Sequence, residues 1–243
     1  MASRPIALYR GTDHPCPYLP ARTAASAFVD PSLALSPAIY ARLLDYGFRR
    51  SGNHVYRPLC PDCAACRPVR IPVDAFRPRR SQQRAWRASA AGLGVMPRPA
   101  RFDEQHFALY QRYLEVRHPD GGMAGGDADD YRRFLFADWG ETLCIELRIG
   151  RRLLGVAVTD LVPGALSAVY TFFDPAEAAR SPGVLAILAQ VELARRWRLA
   201  HVYLGYWIGD CPKMRYKADY RPLEVLVDEA WRRVRPGEPM PGG

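Results

Sequence analysis

The chain has 243 residues, 49% hydrophobic and 24% charged, a balance that excludes wholesale disorder and can bury the core of one large domain or two modest ones. Thirty-four basic residues against 25 acidic ones give a net charge of +9, which points to a polyanionic partner, nucleic acid first. No apolar run approaches the roughly 20 residues of a membrane-spanning helix, and Met1 to Cys16 lacks an apolar signal core, so a cytoplasmic protein with reduced thiols and no membrane partner is expected.

The 22 prolines predict short elements with defined turns. Cys16-Pro-Tyr-Leu-Pro20 is turn-like. Ser36 can cap a short helix that ends near Gly47. His54–Pro58 and Arg67–Val73 have strand-like patterns, and the basic run after Ser81 is helical. Residues 88–100, with two glycines and two prolines, mark a domain boundary, placed at 1–95 and 96–243. Asp103 can cap a helix carrying Phe107, Tyr110 and Leu114. A glycine-rich loop follows over His118–Asp127, then a short helix over Asp129–Ala137. Strands are predicted at Thr142–Ile149, Leu154–Leu161 and Ala168–Phe173, a helix at Val184–Trp197, and strands at His201–Trp207 and Leu223–Val227.

This order gives an α+β fold: a small cysteine-containing, basic N-terminal region, then a C-terminal domain with a mostly antiparallel sheet and flanking helices. The order is similar to the acyltransferase fold of the N-acetyltransferase (GNAT) superfamily. That superfamily's phosphate loop, Q/R-x-x-G-x-G/A, is matched only in part by Arg180-Ser-Pro-Gly183-Val-Leu185, since Leu185 stands where Gly or Ala is needed. A different acyl donor from coenzyme A is therefore expected.

Three constellations carry chemistry. Cys60, Cys63 and Cys66 stand at three-residue steps, and Cys16 is the other cysteine of that region. The four fit a structural zinc or an iron–sulfur cluster, and sequence does not choose between them. Arg67 to Arg87 holds Arg70, Arg77, Arg79, Arg80, Arg84 and Arg87 with Phe76 and Trp86 interleaved, the mixture of phosphate-binding and stacking groups that RNA contact requires. Tyr203 to Pro222 mixes cations, phenols and carboxylates in a largely irregular segment. It includes Lys213 and Lys217, the two lysines of the chain; the other 32 basic residues are arginine.

Five segments together closely resemble the arginyl-tRNA–protein transferase family, in its short bacterial form. They are Cys16-Pro-Tyr-Leu-Pro, Gly47-Phe-Arg-Arg-Ser-Gly-Asn-His-Val-Tyr-Arg-Pro, Cys60-x-x-Cys-x-Ala-Cys-x-Pro-Val-Arg-Ile-Pro-Val, Val169-Tyr-Thr-Phe-Phe-Asp-Pro and Tyr203-Leu-Gly-Tyr-Trp-Ile-x-x-Cys-x-Lys-Met-x-Tyr-Lys-x-x-Tyr-Arg-Pro. The resemblance runs from about Leu8 to Val227. It implies transfer of leucine from Leu-tRNA to the amino group of an N-terminal Asp or Glu, marking cytoplasmic proteins for degradation. Eukaryotic relatives transfer arginine instead.

Such a reaction starts from an activated ester, so it requires no cofactor; it needs orientation, a modest base and oxyanion stabilisation. Asp160 or Asp174 is expected to deprotonate or orient the amine, and Tyr170 or Tyr206 to donate to the oxyanion or the leaving ribose hydroxyl. Lys213, Arg215, Lys217 and Arg221, with Tyr216 and Tyr220, are expected to hold the acceptor carboxylate and the tRNA end. A monomer is expected. A small-molecule N-acetyltransferase and a non-catalytic, metal-containing RNA-binding protein are the competing readings.

Overall fold

A computed structural model describes residues 5–90, 92–119 and 125–241. Three short strands, β1 (Leu8–Arg10), β2 (His14–Pro15) and β3 (Thr23–Ala24), precede β4 (Ser26–Val29) and helix α1 (Pro37–Asp45). The Ser36 hydroxyl accepts from the Ile39 amide at 3.3 Å, as its position in the sequence suggests. Strands β5 (Arg49–Ser51), β6 (His54–Pro58) and β7 (Arg67–Pro72) follow, then α2 (Arg80–Ala90) and β8 (Leu93–Pro99). Helices α3 (Glu104–Arg117) and α4 (Ala128–Leu135) lead into the meander β9 (Glu141–Ile149), β10 (Arg152–Val162) and β11 (Ala165–Phe173). Asp103 caps α3 through the His106 amide. Helix α5 (Pro182–Arg196), β12 (His201–Trp207), the one-turn α6 (Pro212–Arg215), β13 (Leu223–Val227) and β14 (Ala230–Val234) complete the chain. The expected loop over His118–Asp127 falls partly outside the described residues.

The architecture is α+β, with a large, mostly antiparallel sheet flanked by helices. Its eight strands run β14-β13-β7-β12-β11-β10-β9-β8, while β1-β4-β6-β5 form a smaller sheet and β2-β3 a two-stranded one. Alternate residues of the central strands point to opposite faces. Leu154, Ala157 and Leu166 join one buried cluster with α5 residues such as Leu185 and Ala189. Val156, Val158 and Phe172 join another with Leu109, Leu114, Tyr131 and Leu135 of α3 and α4. A third cluster seats α1, through Tyr40, Leu43 and Leu44, against Val162, Ala165 and Tyr203.

Two features of the large sheet depart from the linear reading. Residues 93–99, expected within a boundary, form β8, which pairs with β9 from Leu93↔Ile149 to Pro99↔Leu143. Proline within this strand is tolerable because β8 is an edge. Strand β7, from the N-terminal part of the chain, inserts between β12 and β13. Val69 and Ile71 thereby enter the same cluster as α5, a long-range pairing that local periodicity does not encode.

Candidate active site

Strands β11 and β12 run parallel, joined by α5, and pair only where Ala165–Ser167 faces His201–Tyr203. Both strands continue, to Phe173 and Trp207, without further pairing between them. Register shifts at Val158/Thr159 beside β11 and at Tyr203/Gly205 on β12 add twist on either flank. The sheet therefore opens into a wedge.

Arg49 of β5 enters that wedge. Its Nη2 donates to the Ala168 carbonyl at 2.7 Å and to the Val169 carbonyl at 3.5 Å, both on β11. On β12, Gly205 lies at φ +79°, and a Cβ there would overlap the Arg49 guanidinium. Only glycine meets both demands. Arg49 Nη1 is buried and has no hydrogen-bond partner. Beside Gly205 on the same strand, the Tyr206 carbonyl accepts from Lys217 Nζ at 2.5 Å, and the Met214 Sδ lies 3.4 Å from the same Nζ. Burial, and after it the Arg49 charge, pushes the Lys217 ammonium down to about 7. Among the described residues neither cation has a carboxylate within ion-pairing distance.

A cluster of aromatic rings packs on β11. Tyr170 of β11 has a buried hydroxyl without a hydrogen-bond partner, and its ring meets those of Tyr110, Tyr113 and Phe134 edge-on. Burial raises its pKa, so it is a neutral donor. Tyr113 also stacks edge-on with His118, whose pKa is lowered by burial and by nearby Lys213.

The other expected residues sort by what they touch. Asp160 is buried and fully engaged: Arg50 Nε and Nη2 each donate to it at 2.6 Å, and Thr142 Oγ1 at 2.8 Å. Asp174 sits where β11 ends; it accepts from Arg152 at 2.7 Å and caps the Ala176 amide, and Arg152 holds its carboxyl below the usual range. The Tyr206 hydroxyl donates to the Gly47 carbonyl at 2.9 Å. Lys213, Arg215 and Tyr216 are exposed, whereas Lys217 and Tyr220 are buried. Arg221 donates to the Ala218, Arg235 and Glu238 carbonyls, tying down the C-terminal segment.

The arginine run divides as well. Arg70 binds Glu224 at 2.8 Å and Asp45 at 2.9 Å and lies over the Trp231 ring, so it is spent inside the protein. Arg77 donates to the Asp74 and Phe76 carbonyls, and Arg79 pairs with Asp219. Arg80, Arg84 and Arg87 are exposed on one face of α2, line a shallow groove with Gln83, and have no acidic partner among the described residues.

Cys16, Cys60, Cys63 and Cys66 line one cavity of about 340 Å³ with Tyr18, Arg67 and Tyr206. All are free thiols. Burial, then Cys60, Cys16 and Cys63, pushes the Cys66 thiol up to about 12. Among the described residues no three His, Cys, Asp or Glu side chains are gathered as a metal-ligand set. The sequence grouping is therefore reproduced in space, with the four thiols facing one cavity.

Arg49 is the residue that sequence reasoning missed. It lies in the Gly47-Phe-Arg-Arg-Ser segment, but no pattern distinguishes it from Arg50. The signal is the pairing of an arginine on one strand with a glycine on another, which only the tertiary register reveals.

Residues 14–84 match the pattern described as arginine-tRNA-protein transferase, N terminus, and residues 105–227 match its C terminus. The chain belongs to this family. It is accordingly an aminoacyl-tRNA–protein transferase, and the wedge lies within the matched region. Relatives named aspartate/glutamate leucyltransferase include one from Hahella chejuensis, 50% identical over 94% of this chain and 97% of its own. Another, from Alkalilimnicola ehrlichii, is 50% identical over 95% and 97%. A third, from Pseudomonas fluorescens SBW25, is 49% identical over 93% and 96%. Among solved structures, the C-terminal domain of a protein described as a lysylphosphatidylglycerol synthetase, from Agrobacterium fabrum, aligns over 71% of this chain and 52% of its own at TM-score 0.46 and 12% identity. Among the described residues no helix is long and apolar enough to cross a membrane.

Proposed function

We propose that this chain transfers leucine from Leu-tRNA to the α-amino group of cytoplasmic proteins that begin with Asp or Glu, marking them for degradation. The observation that carries this reading is the 50% identity, over 94% of the chain, to a relative named for that activity. The +9 charge suits both an RNA donor and an acidic acceptor. The β9–β10–β11 meander, α5 and the parallel β12 support a GNAT-like description of the transfer domain, with the wedge as the place where acyl donor and amine meet.

The chemistry follows from the groups at the wedge. The acceptor amine, with an ordinary pKa near 7.7–8.0, attacks in its neutral form. A carbon–nitrogen bond forms, the ester carbon–oxygen bond breaks, and the amine's proton ends on the terminal ribose oxygen. The ester is already activated, so no cofactor is assigned to the step. Tyr170 is the favoured donor to the oxyanion, because its hydroxyl is buried and unspent. Asp174, kept ionised by Arg152, is the carboxylate suited to orient the incoming ammonium before it loses its proton. Asp160 supports the site through Arg50 and the Tyr206 hydroxyl through Gly47. The free face of α2 and the exposed Lys213 and Arg215 are suited to the tRNA phosphates.

The test is transfer by the purified protein from labelled Leu-tRNA or Arg-tRNA to peptides beginning with Asp, Glu, Lys or Ala. Leucine on the Asp and Glu peptides alone is the expected result. Arginine transfer would change the donor, and no transfer from either tRNA by folded protein would overturn the reading.

A further inference from the structure

Two neighbouring arginines of β5 point to opposite sides of the strand, and among the described residues only one of them has a counter-charge. Arg50 is saturated by Asp160, Thr142 and two carbonyls. Arg49 is held by carbonyls of β11 alone, and its buried Nη1, packed against Gly205 of β12, has no hydrogen-bond partner among the described residues. Leaving a guanidinium nitrogen both dry and unpaired is costly, and a protein that only needed to fill the gap could use an apolar side chain. Lys217, whose Nζ donates to the next carbonyl along β12, is buried and has no acid beside it among the described residues. A guanidinium and a buried lysine, neither with a counter-charge among the described residues, stand together at the split of the sheet.

We infer that the β11–β12 wedge is the pocket for the side-chain carboxylate of the acceptor's first residue, with Arg49 as its specificity-determining anchor. The inference rests on the proposed transfer to acidic N-termini. The planar fork of a guanidinium suits a carboxylate, and an N-terminal side chain brings that carboxylate in on a thin stem between two strands. A tRNA phosphodiester shares the charge, and the test below separates the two by reading the KM for tRNA beside that for the peptide. The Gly205 Cα keeps the guanidinium in place.

The test compares wild type, Arg49→Lys and Arg49→Met with full-length protein, Leu-tRNA, and peptides beginning with Asp or Asn. Urea unfolding and tRNA binding are measured on the same preparations. Wild-type transfer to the Asp peptide must be seen first; its failure would sink the proposed function and not the pocket alone. With it in hand, Arg49→Met is expected to lower kcat/KM for the Asp peptide about 10- to 100-fold, mainly through KM. The Asn peptide, which wild type uses poorly, is expected to change little, and the KM for tRNA to stay put. Arg49→Lys, which keeps the charge and loses the fork, is expected to retain part of the acidic preference. An equal loss on Asp and Asn peptides in a folded variant would overturn the inference, as would a shift in the KM for tRNA in place of the peptide. If Arg49→Met does not fold, the Asp-over-Asn preference of Arg49→Lys decides alone: a reduced preference supports the pocket, an unchanged one contradicts it.

Discussion

Arg49 and Arg50 are adjacent in sequence and opposite in circumstance. Arg50 lies under β10 with every donor direction answered, tying β5, α4 and β9 to Asp160. Arg49 lies in the wedge between β11 and β12 with one edge unanswered. Arg50 is buried and Arg49 partly buried, and both carry the same charge, so charge alone does not separate framework from site. The missing partner does: Arg50 is half of a satisfied buried ion pair, and Arg49 is a guanidinium held by carbonyls with one nitrogen left over.

Removing the satisfied cation has the largest expected effect. Arg50→Met leaves Asp160 buried with only Thr142, and should cost about 3–5 kcal/mol of stability, read from urea unfolding. A loss under about 1 kcal/mol would mean that the network is replaceable and the contrast weaker than drawn.

Gly205→Ala approaches the same contrast from the other strand. Its methyl group must evict the Arg49 guanidinium, and its backbone sits at φ +79°. We expect a loss of about 1–3 kcal/mol together with loss of the preference for acidic acceptors. Normal stability and preference would show that Arg49 is free to leave its position at no cost.

The surface cations of α2 form the exposed counterpart. Replacing Arg80, Arg84 and Arg87 by alanine should weaken tRNA binding and reduce the slope of log affinity against log salt by about 2, while leaving the peptide KM alone. An unchanged slope would place the RNA elsewhere.

A last effect, read as a dependence on pH, concerns Lys217. Its folded pKa is lowered to about 7 from 10.5, chiefly by burial. Between those two values the unfolded chain binds a proton that the folded chain does not, so stability rises with pH across that window. At and below about pH 7 the folded protein carries the full cost of the buried ammonium. The urea midpoint of the wild type should therefore rise from pH 7 to 9.5 by more than that of Lys217→Met. Parallel profiles would contradict this.

Much of the frame was legible in the sequence. The caps at Ser36 and Asp103, the meander from Thr142 to Phe173 and the strand at His201–Trp207 all follow from local pattern, because caps and alternation are local properties. The insertion of β7 and the strand at residues 93–99 were not legible, since pairing partners lie tens of residues away and Pro97 and Pro99 argue for a loop. The same limit governs the site. Sequence singled out Val169–Pro175 by resemblance and Tyr203–Pro222 by its mixture of cations, phenols and carboxylates, and these segments run along β11 and β12 and just beyond them. It could not tell that Asp160 and Arg70 spend their charge on internal partners, or that Arg49 does not.

The most direct measurement takes Arg49→Met and Arg50→Met side by side, recording urea unfolding and the ratio of leucine transfer to Glu- and Gln-initiated peptides on each. The account predicts a crossed result: Arg50→Met loses stability but keeps the Glu preference of whatever folded enzyme remains, and Arg49→Met stays within about 1 kcal/mol of wild type and loses that preference. If both variants lose stability alike and keep the preference, the unpartnered arginine is framework like its neighbour, and the wedge is not where the acidic residue is read.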